Sequence, residues 1–227
     1  MQEPDQYLLD LPELQERERP TLENFIVGEN AEALAALSEM REGRGPKFLY
    51  LHGPKGAGLT HLLTAVDPDG AERTQPVPGY VPGTKLYTVD DVDLLDTGYA
   101  RQLFALQNAV YGDADARLIC AGRLPSARLP LPDGVKSRLA WGLSYAVKPL
   151  SEEAAFEVLG RAAAMRGIEL TPAMAAWMRT HLPRNMRALT RVFDLANQLA
   201  LRTKRKVTLA LVREAARVLT ETGRGLD

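Results

Sequence analysis

The sequence predicts an α/β domain built on a parallel sheet, followed by a smaller all-helical domain. An apolar run, a glycine-rich segment and a helical pattern follow one another over residues 48–66, in the order typical of a phosphate-binding loop. Two further apolar runs, at 86–89 and 118–121, lie on either side of a helical pattern, which indicates parallel strands covered on both faces. From Ser151 onward the apolar residues recur at helical spacing only.

The segments around these elements divide the chain into three regions. Residues 1–19 alternate charge with leucine and show no helical period, which predicts an extended tail. The α/β domain is expected to span 20–148, with its first helix at 30–40. Pro149 interrupts the pattern, so the helical domain is expected to span 149–227.

Composition limits the class of protein more than its activity. Hydrophobic residues make up 45% of the chain, enough for a core, and a formal charge of -1 gives no overall attraction to nucleic acid. The single cysteine excludes an internal disulfide, and the three histidines lack the spacing of a metal site. No apolar run approaches the ~18 residues of a membrane span. We therefore expect a cytoplasmic protein without membrane contact, strong DNA binding or a certain metal.

The glycine-rich segment departs from a phosphate-binding loop at one position. In such a loop, backbone amides at a helix N-terminus hold phosphates, a lysine reaches the terminal phosphates and a hydroxyl holds magnesium. Gly53, Gly58 and Thr60 stand at the required spacing, whereas Leu59 occupies the lysine position. Because leucine offers no charge to the phosphates, the sequence predicts a nucleotide-shaped site without useful turnover.

An acidic pair follows the second predicted strand. Asp90 and Asp91 stand at the end of the apolar run 86–89, where a phosphate-binding-loop protein places the carboxylates that hold magnesium and orient water. Two interpretations remain open. Either the pair holds magnesium, or it is the polar end of a strand without a metal because Leu59 has weakened the site.

Four segments resemble successive motifs of one family. Residues 20–28, 48–63, 135–143 and 184–189, in that order, look like motifs of the DnaA replication-initiator branch of the AAA+ ATPases. The resemblance covers residues 20–219 and implies a P-loop AAA+ base with a parallel sheet and a small all-helical lid domain. The sequence ends where the initiator would continue into a DNA-binding domain, so it resembles a regulatory member of this branch that inactivates the initiator.

The resemblance implies roles for individual residues. Arg138 matches the arginine finger, which reaches across a subunit interface to the ATP of a neighbour, here DnaA; the alternative is a salt bridge within the chain. Arg187 matches the second sensor of the lid, and its alternative is a surface arginine on an amphipathic helix. The implied nucleotide-binding residues are Gly53, Gly56, Gly58, Thr60, His61, Asp90, Asp91 and Arg187.

The tail resembles a clamp-binding peptide. Gln6, followed by Leu9 and Leu11, is similar to the short motif with which replication proteins engage the DNA polymerase sliding clamp. An extended peptide can place both leucines in an apolar pocket while the glutamine amide donates and accepts hydrogen bonds. The implied partners are the clamp and DnaA, with a homodimer left open. The alternative is a tail whose leucines pack on the domain.

Two further departures from the family weaken the catalytic site. The first sensor position, normally polar, is Gly122, and the proline-rich segment 67–85 does not show the usual second strand and helix. The sheet is therefore expected to lack one strand–helix unit, and the chain is expected not to act as an ATPase itself. The resemblance implies a nucleoside diphosphate, ADP or CDP, as cofactor, although Leu59 argues against it.

Three functional hypotheses follow. The favoured one is a regulator that docks on the sliding clamp and presents Arg138 to ATP-bound DnaA, so that ATP hydrolysis by DnaA prevents reinitiation. The second is an ATP-driven AAA+ loader or remodeller, against which Leu59 argues. The third is a DnaA-like adaptor that does not activate hydrolysis.

Overall fold

A computed structural model describes residues 19–165, 167–183 and 185–221 of the chain. The described residues divide into two compact units. The first is Pro20–Leu150, and the second contains the described residues from Ser151 onward. None of the helices in these ranges is both long and apolar enough to cross a bilayer.

The first unit contains a four-stranded parallel sheet in the order β2-β3-β1-β4. The strands are β1 (Phe48–His52), β2 (Leu86–Val89), β3 (Arg117–Gly122) and β4 (Leu143–Ala146). The three strands predicted from apolar runs are confirmed. The fourth was not predicted, because the edge strand β4 is largely exposed and has no apolar run to reveal it.

Four α helices and three short 3-10 helices accompany this sheet in the described part of the first unit. The α helices are α1 (Ala31–Arg41), α2 (Leu59–Val66), α3 (Thr97–Gly112) and α4 (Asp133–Leu139). The 3-10 helices are Pro68–Glu72, Val92–Leu94 and Ser126–Arg128.

Alternate strand residues enter two apolar clusters, one on each face of the sheet. Tyr50 belongs to the cluster that contains Leu103 of α3. Its neighbour Leu51 belongs to the other cluster, with Leu37 of α1 and Leu62 of α2. Since successive side chains of a strand point to opposite faces, this division confirms that the central strands are covered on both sides.

The segment between α2 and β2 contains no strand among its described residues, only the 3-10 helix Pro68–Glu72. β2 is therefore an edge strand, as expected for a sheet that lacks one strand–helix unit. A polar network lies beside it: Arg73 pairs with Asp67 at 2.9 Å, and the Thr88 hydroxyl donates to the same carboxylate at 2.7 Å. Arg73 also donates to the Thr88 carbonyl at 3.5 Å. This side chain therefore supplies one of the hydrogen bonds that a neighbouring strand would otherwise make with the backbone of β2.

The second unit is helical in its described residues, with α5 (Glu152–Met165), α6 (Pro172–His181), α7 (Met186–Arg202) and α8 (Leu209–Glu221). Three of these helices begin at a residue whose side chain caps the first turn. The Ser151 hydroxyl accepts from the Ala154 amide, Thr171 does the same for Met174, and the Asn185 side chain caps α7. The buried residues of the second unit include Phe156, Leu159, Met178, Leu189, Phe193, Val212 and Leu219.

Candidate functional site

The predicted phosphate-binding loop lies between β1 and α2. The Gly53 amide donates to the Gly122 carbonyl at 3.2 Å, and a Cβ at Gly53 would lie 2.3 Å from the Val147 carbonyl oxygen. Gly56 and Gly58 have φ angles of 89° and 95°, in the left-handed region that side chains disfavour. The glycines are therefore required by the geometry, and the loop leads directly into the N-terminus of α2.

Thr60 and Asp90 are brought together at the end of this loop. Thr60 lies in the first turn of α2, Asp90 directly follows β2, and the Thr60 hydroxyl donates to the Asp90 carboxylate at 2.7 Å. The hydroxyl and the carboxylate are the magnesium-binding groups of a P-loop protein. Thus the half of the predicted site that would hold a metal ion is assembled.

Asp91 has a constrained backbone and a carboxylate close to that of Asp90. Its φ of 46° is unusual for a residue other than glycine, and its amide donates to the Asp90 side chain at 2.8 Å. Burial and the neighbouring Asp90 charge raise the pKa of Asp91.

Leu59, at the lysine position, is used in packing. Its half-buried side chain packs against the apolar cluster of α1 and α2, as does Phe25. Lys55, within the loop, is exposed. The side chain at position 59 therefore contributes to the core and supplies no charge to the loop.

The Gly122 position has no room for a sensor side chain. A Cβ there would lie 2.8 Å from the Tyr50 hydroxyl, 2.9 Å from Val92 and 3.0 Å from an Asp93 carboxylate oxygen. Contacts this short require the neighbours to move. Side chains of β1 and of the 3-10 helix after β2 thus fill the space that a polar sensor side chain would occupy.

Arg123 and Asp93 are site residues that the sequence reasoning missed. The Arg123 amide donates to Asp93 at 2.9 Å, and its guanidinium lies 3.7 Å from Asp93 and 4.0 Å from Asp91. The sequence did contain a signal for this contact. Arg123 directly follows β3, and the acidic residues of 90–93 directly follow the neighbouring strand β2. The Arg123 guanidinium thus lies beside Asp91, whose carboxylate would orient water in an active site.

His61 contacts the N-terminal segment of the first unit. Its Nε2 atom lies 3.0 Å from the Thr21 carbonyl oxygen, and its ring meets Phe25 edge-on with centroids 5.4 Å apart. The structure thus uses this predicted nucleotide-binding residue to fix the chain around Thr21. No group of three or more potential metal-binding side chains occurs within the described ranges.

A cavity of about 500 Å³ opens beside Thr60 and Asp90. It extends along the edge strand β2 to the Asp67–Arg73 pair and is also lined by Leu63 of α2. Its volume lies within the usual range for small-ligand sites.

Arg138 is held by neutral and aromatic groups. Its Nε donates to the Asn108 side chain at 2.9 Å, and Nη1 donates to the Gly134 carbonyl at 3.0 Å. The guanidinium carbon lies 3.9 Å from the ring centre of Phe104 and 4.9 Å from that of Trp141. Among the described residues Arg138 has no ion pair within 4.0 Å. The alternative of an internal salt bridge is therefore not seen in this part of the chain.

The side chains of the remaining predicted site residues are not described. Gln6, Leu9 and Leu11 of the clamp-binding motif precede the first described residue. Arg187 belongs to the first turn of α7, but its side chain is not described. Their roles stay predictions.

Comparison with known proteins gives one family match, in the helical unit. Residues 152–215 match the family model described as the lid domain of Hda. This range begins at the first residue of α5 and ends within α8.

Solved structures match most of the chain. Domain III of the Thermotoga maritima replication initiation protein DnaA has a TM-score of 0.69 at 21% identity, covering 90% of this chain and 97% of that one. DnaA bound to AMPPCP and single-stranded DNA scores 0.63 at 21% identity, covering 83% and 69%. The Thermotoga maritima RuvB Holliday junction branch migration motor scores 0.61 at 18% identity, covering 88% and 72%.

These matches confirm the predicted fold and the resemblance to DnaA-related AAA+ proteins. The chain has the fold of DnaA domain III, and residues 152–215 of its helical unit match the lid domain of Hda.

Proposed function

We propose that this protein regulates replication initiation by stimulating ATP hydrolysis on DnaA. The single observation that carries the proposal is the state of Arg138: a half-buried guanidinium fixed by Asn108 and two aromatic rings, without an ion pair among the described residues. In an arginine held in this way, no carboxylate of the described residues competes with a phosphate that another subunit presents. In GTPases an arginine supplied in trans raises the rate by about 10³ to 10⁵.

Three features of the chain's own site support action on a partner. The lysine position, Leu59, packs against the core. The sensor position, Gly122, is filled by its neighbours. Arg123 lies beside Asp91, the residue that would orient the attacking water. Stabilisation of a transferring phosphoryl group is almost entirely electrostatic, so these losses act directly on turnover.

A nucleoside diphosphate remains the proposed ligand of the loop. The amides near Gly56 and Gly58 would hold its phosphates, and Thr60 with Asp90 would hold a magnesium ion. The left-handed φ angles of Gly56 and Gly58 support this proposal, and a DnaA structure of the same fold contains AMPPCP. Titration calorimetry with ADP, CDP and ATP tests the ligand and its base preference.

The clamp is the proposed second partner, engaged by Gln6, Leu9 and Leu11. Burial of two leucines contributes roughly 3 to 6 kcal/mol before the tail is ordered. Such a contact is weak by itself, so we propose that it raises the local concentration of the protein near DNA-loaded clamp.

A reconstituted assay of DnaA-bound ATP hydrolysis tests the proposal. The protein should accelerate hydrolysis when DNA-loaded clamp is present, and a Gln6→Ala/Leu9→Ala variant should lose the clamp dependence. A non-activating adaptor would bind clamp and DnaA in a pull-down without accelerating hydrolysis, and that result would refute the proposal.

A second candidate function, an ATP-driven AAA+ enzyme, is favoured by one observation. The Thr60–Asp90 contact of 2.7 Å preserves the metal-binding half of the site. ATP turnover by the isolated protein, at a rate of at least about 1 per second as in typical enzymes, would support this candidate.

A further inference from the structure

Two aromatic side chains stand exposed beside Arg138. Trp141 is 47% exposed and Tyr111 is 65% exposed, and their ring centroids lie 5.1 Å apart. Trp141 also places its ring within 4.9 Å of the Arg138 guanidinium. A cation and two large aromatic rings therefore form one continuous group on the surface of the first unit.

Both aromatic residues are attached to rigid supports. A Cβ at Gly142 would lie 1.8 Å from the Phe48 carbonyl oxygen, so the backbone directly after Trp141 is in close contact with β1. Lys47 donates to the carbonyls of Tyr111 and Asp113 at the C-terminus of α3. Exposed aromatic rings on fixed backbone lose little conformational entropy when a partner covers them.

We propose that Tyr111, Trp141 and Arg138 form the docking surface for the nucleotide-bearing partner, with Trp141 as the positioning residue for Arg138. The partner's chemistry is that of a subunit that presents the terminal phosphates of a bound nucleoside triphosphate at its surface. This inference rests on the proposed function, which assigns those phosphates to DnaA.

The chemistry of the group supports this assignment. Tryptophan, tyrosine and arginine are the residue types that dominate binding energy at protein interfaces. Arg138 brings positive charge that no carboxylate among the described residues neutralises within 4.0 Å, which complements phosphates. When a partner covers Trp141, water leaves the guanidinium, and both the cation–π contact and the charge–phosphate contact become stronger.

Trp141 fluorescence measures the docking step. The chain has two tryptophans, so Trp177→Phe leaves Trp141 as its only indole. Addition of ATP-bound DnaA, with DNA-loaded clamp, should move the Trp141 emission to shorter wavelength as the ring is buried. A Trp141→Phe/Trp177→Phe double variant supplies the background from DnaA and clamp. Emission indistinguishable from that background change would overturn the docking surface.

Hydrolysis assays measure the positioning role. Trp141→Ala should lower the stimulated rate by about 10-fold, while Trp141→Phe should retain most of it because a ring remains over Arg138. Leu201→Ala removes an exposed apolar side chain of α7 and should have no effect. The Trp141→Phe rate and the emission shift remain informative if Trp141→Ala does not fold.

The outcomes separate this inference from the proposed function. Loss of stimulation in Arg138→Ala together with full stimulation by Trp141→Ala would overturn this inference alone. Absence of stimulation by the unmodified protein would overturn the proposed function and this inference with it.

Discussion

Substitution of Gly122 by alanine tests whether the sensor position is closed by packing. The added Cβ would lie 2.8 Å from the Tyr50 hydroxyl and 2.9 Å from Val92. The Tyr50 hydroxyl donates to the Leu124 carbonyl at 2.5 Å, so the neighbour that must move already has a fixed partner. Overpacking costs about 1 to 3 kcal/mol, and loss of the buried hydrogen bond adds roughly 1 to 3 kcal/mol. We therefore expect Gly122→Ala to lower the free energy of unfolding by about 2 to 6 kcal/mol.

Urea unfolding followed by circular dichroism measures this change. Gly112→Ala is the matched control in the same unit, since a Cβ at this position of α3 would meet no atom within 4 Å. Its free energy of unfolding should rise by about 0.4 to 1 kcal/mol, because alanine is a better helix former than glycine. If Gly122→Ala is as stable as the control, the position has room for a side chain and the packing argument is refuted.

Three other substitutions test separate parts of the account. Lys47→Met removes a donor to the carbonyls at the C-terminus of α3 and should lower the free energy of unfolding by about 1 to 3 kcal/mol in urea titrations; an unchanged midpoint would contradict this. Leu59→Lys should not create ATP turnover, because Gly122 still supplies no sensor side chain and Arg123 still lies beside the Asp91 carboxylate. A steady-state ATPase rate typical of AAA+ enzymes would refute this expectation. Asp91→Asn should raise stability at neutral pH, because the pKa of Asp91 is raised in the fold and its charged form is disfavoured there. This gain in stability should fade as the pH falls through the raised pKa of Asp91 towards its pKa in the unfolded state. Unfolding curves of both proteins across this pH range measure the gain, and a gain that grows as the pH falls would contradict the prediction.

The sheet could be predicted wherever its strands are buried on both faces. β1, β2 and β3 each consist of a short apolar run, since helices cover both sides of the central strands. β4 escaped prediction because its Leu143, Ser144 and Ala146 are exposed, and a sequence pattern reports burial more than backbone pairing.

The candidate site could be predicted only where spacing along the chain sets the geometry. Thr60 follows the loop at a fixed distance, and Asp90 ends a parallel strand, so their meeting follows from the fold. The contacts of Arg123 with Asp93 and of Arg138 with Asn108 join residues 30 positions apart. Such contacts depend on the packing of side chains in three dimensions, which periodicity does not encode.

The proposed function requires that Arg138 acts on ATP held by DnaA. Single-turnover hydrolysis of DnaA-bound ATP, with DNA-loaded clamp present, compares the unmodified protein, Arg138→Ala and a control, Arg101→Ala, at an exposed position of α3. We expect Arg138→Ala to lose the stimulation, by about 10³-fold for an arginine finger, while Arg101→Ala retains it. Equal stimulation by Arg138→Ala and the unmodified protein would show that Arg138 does not act on this ATP.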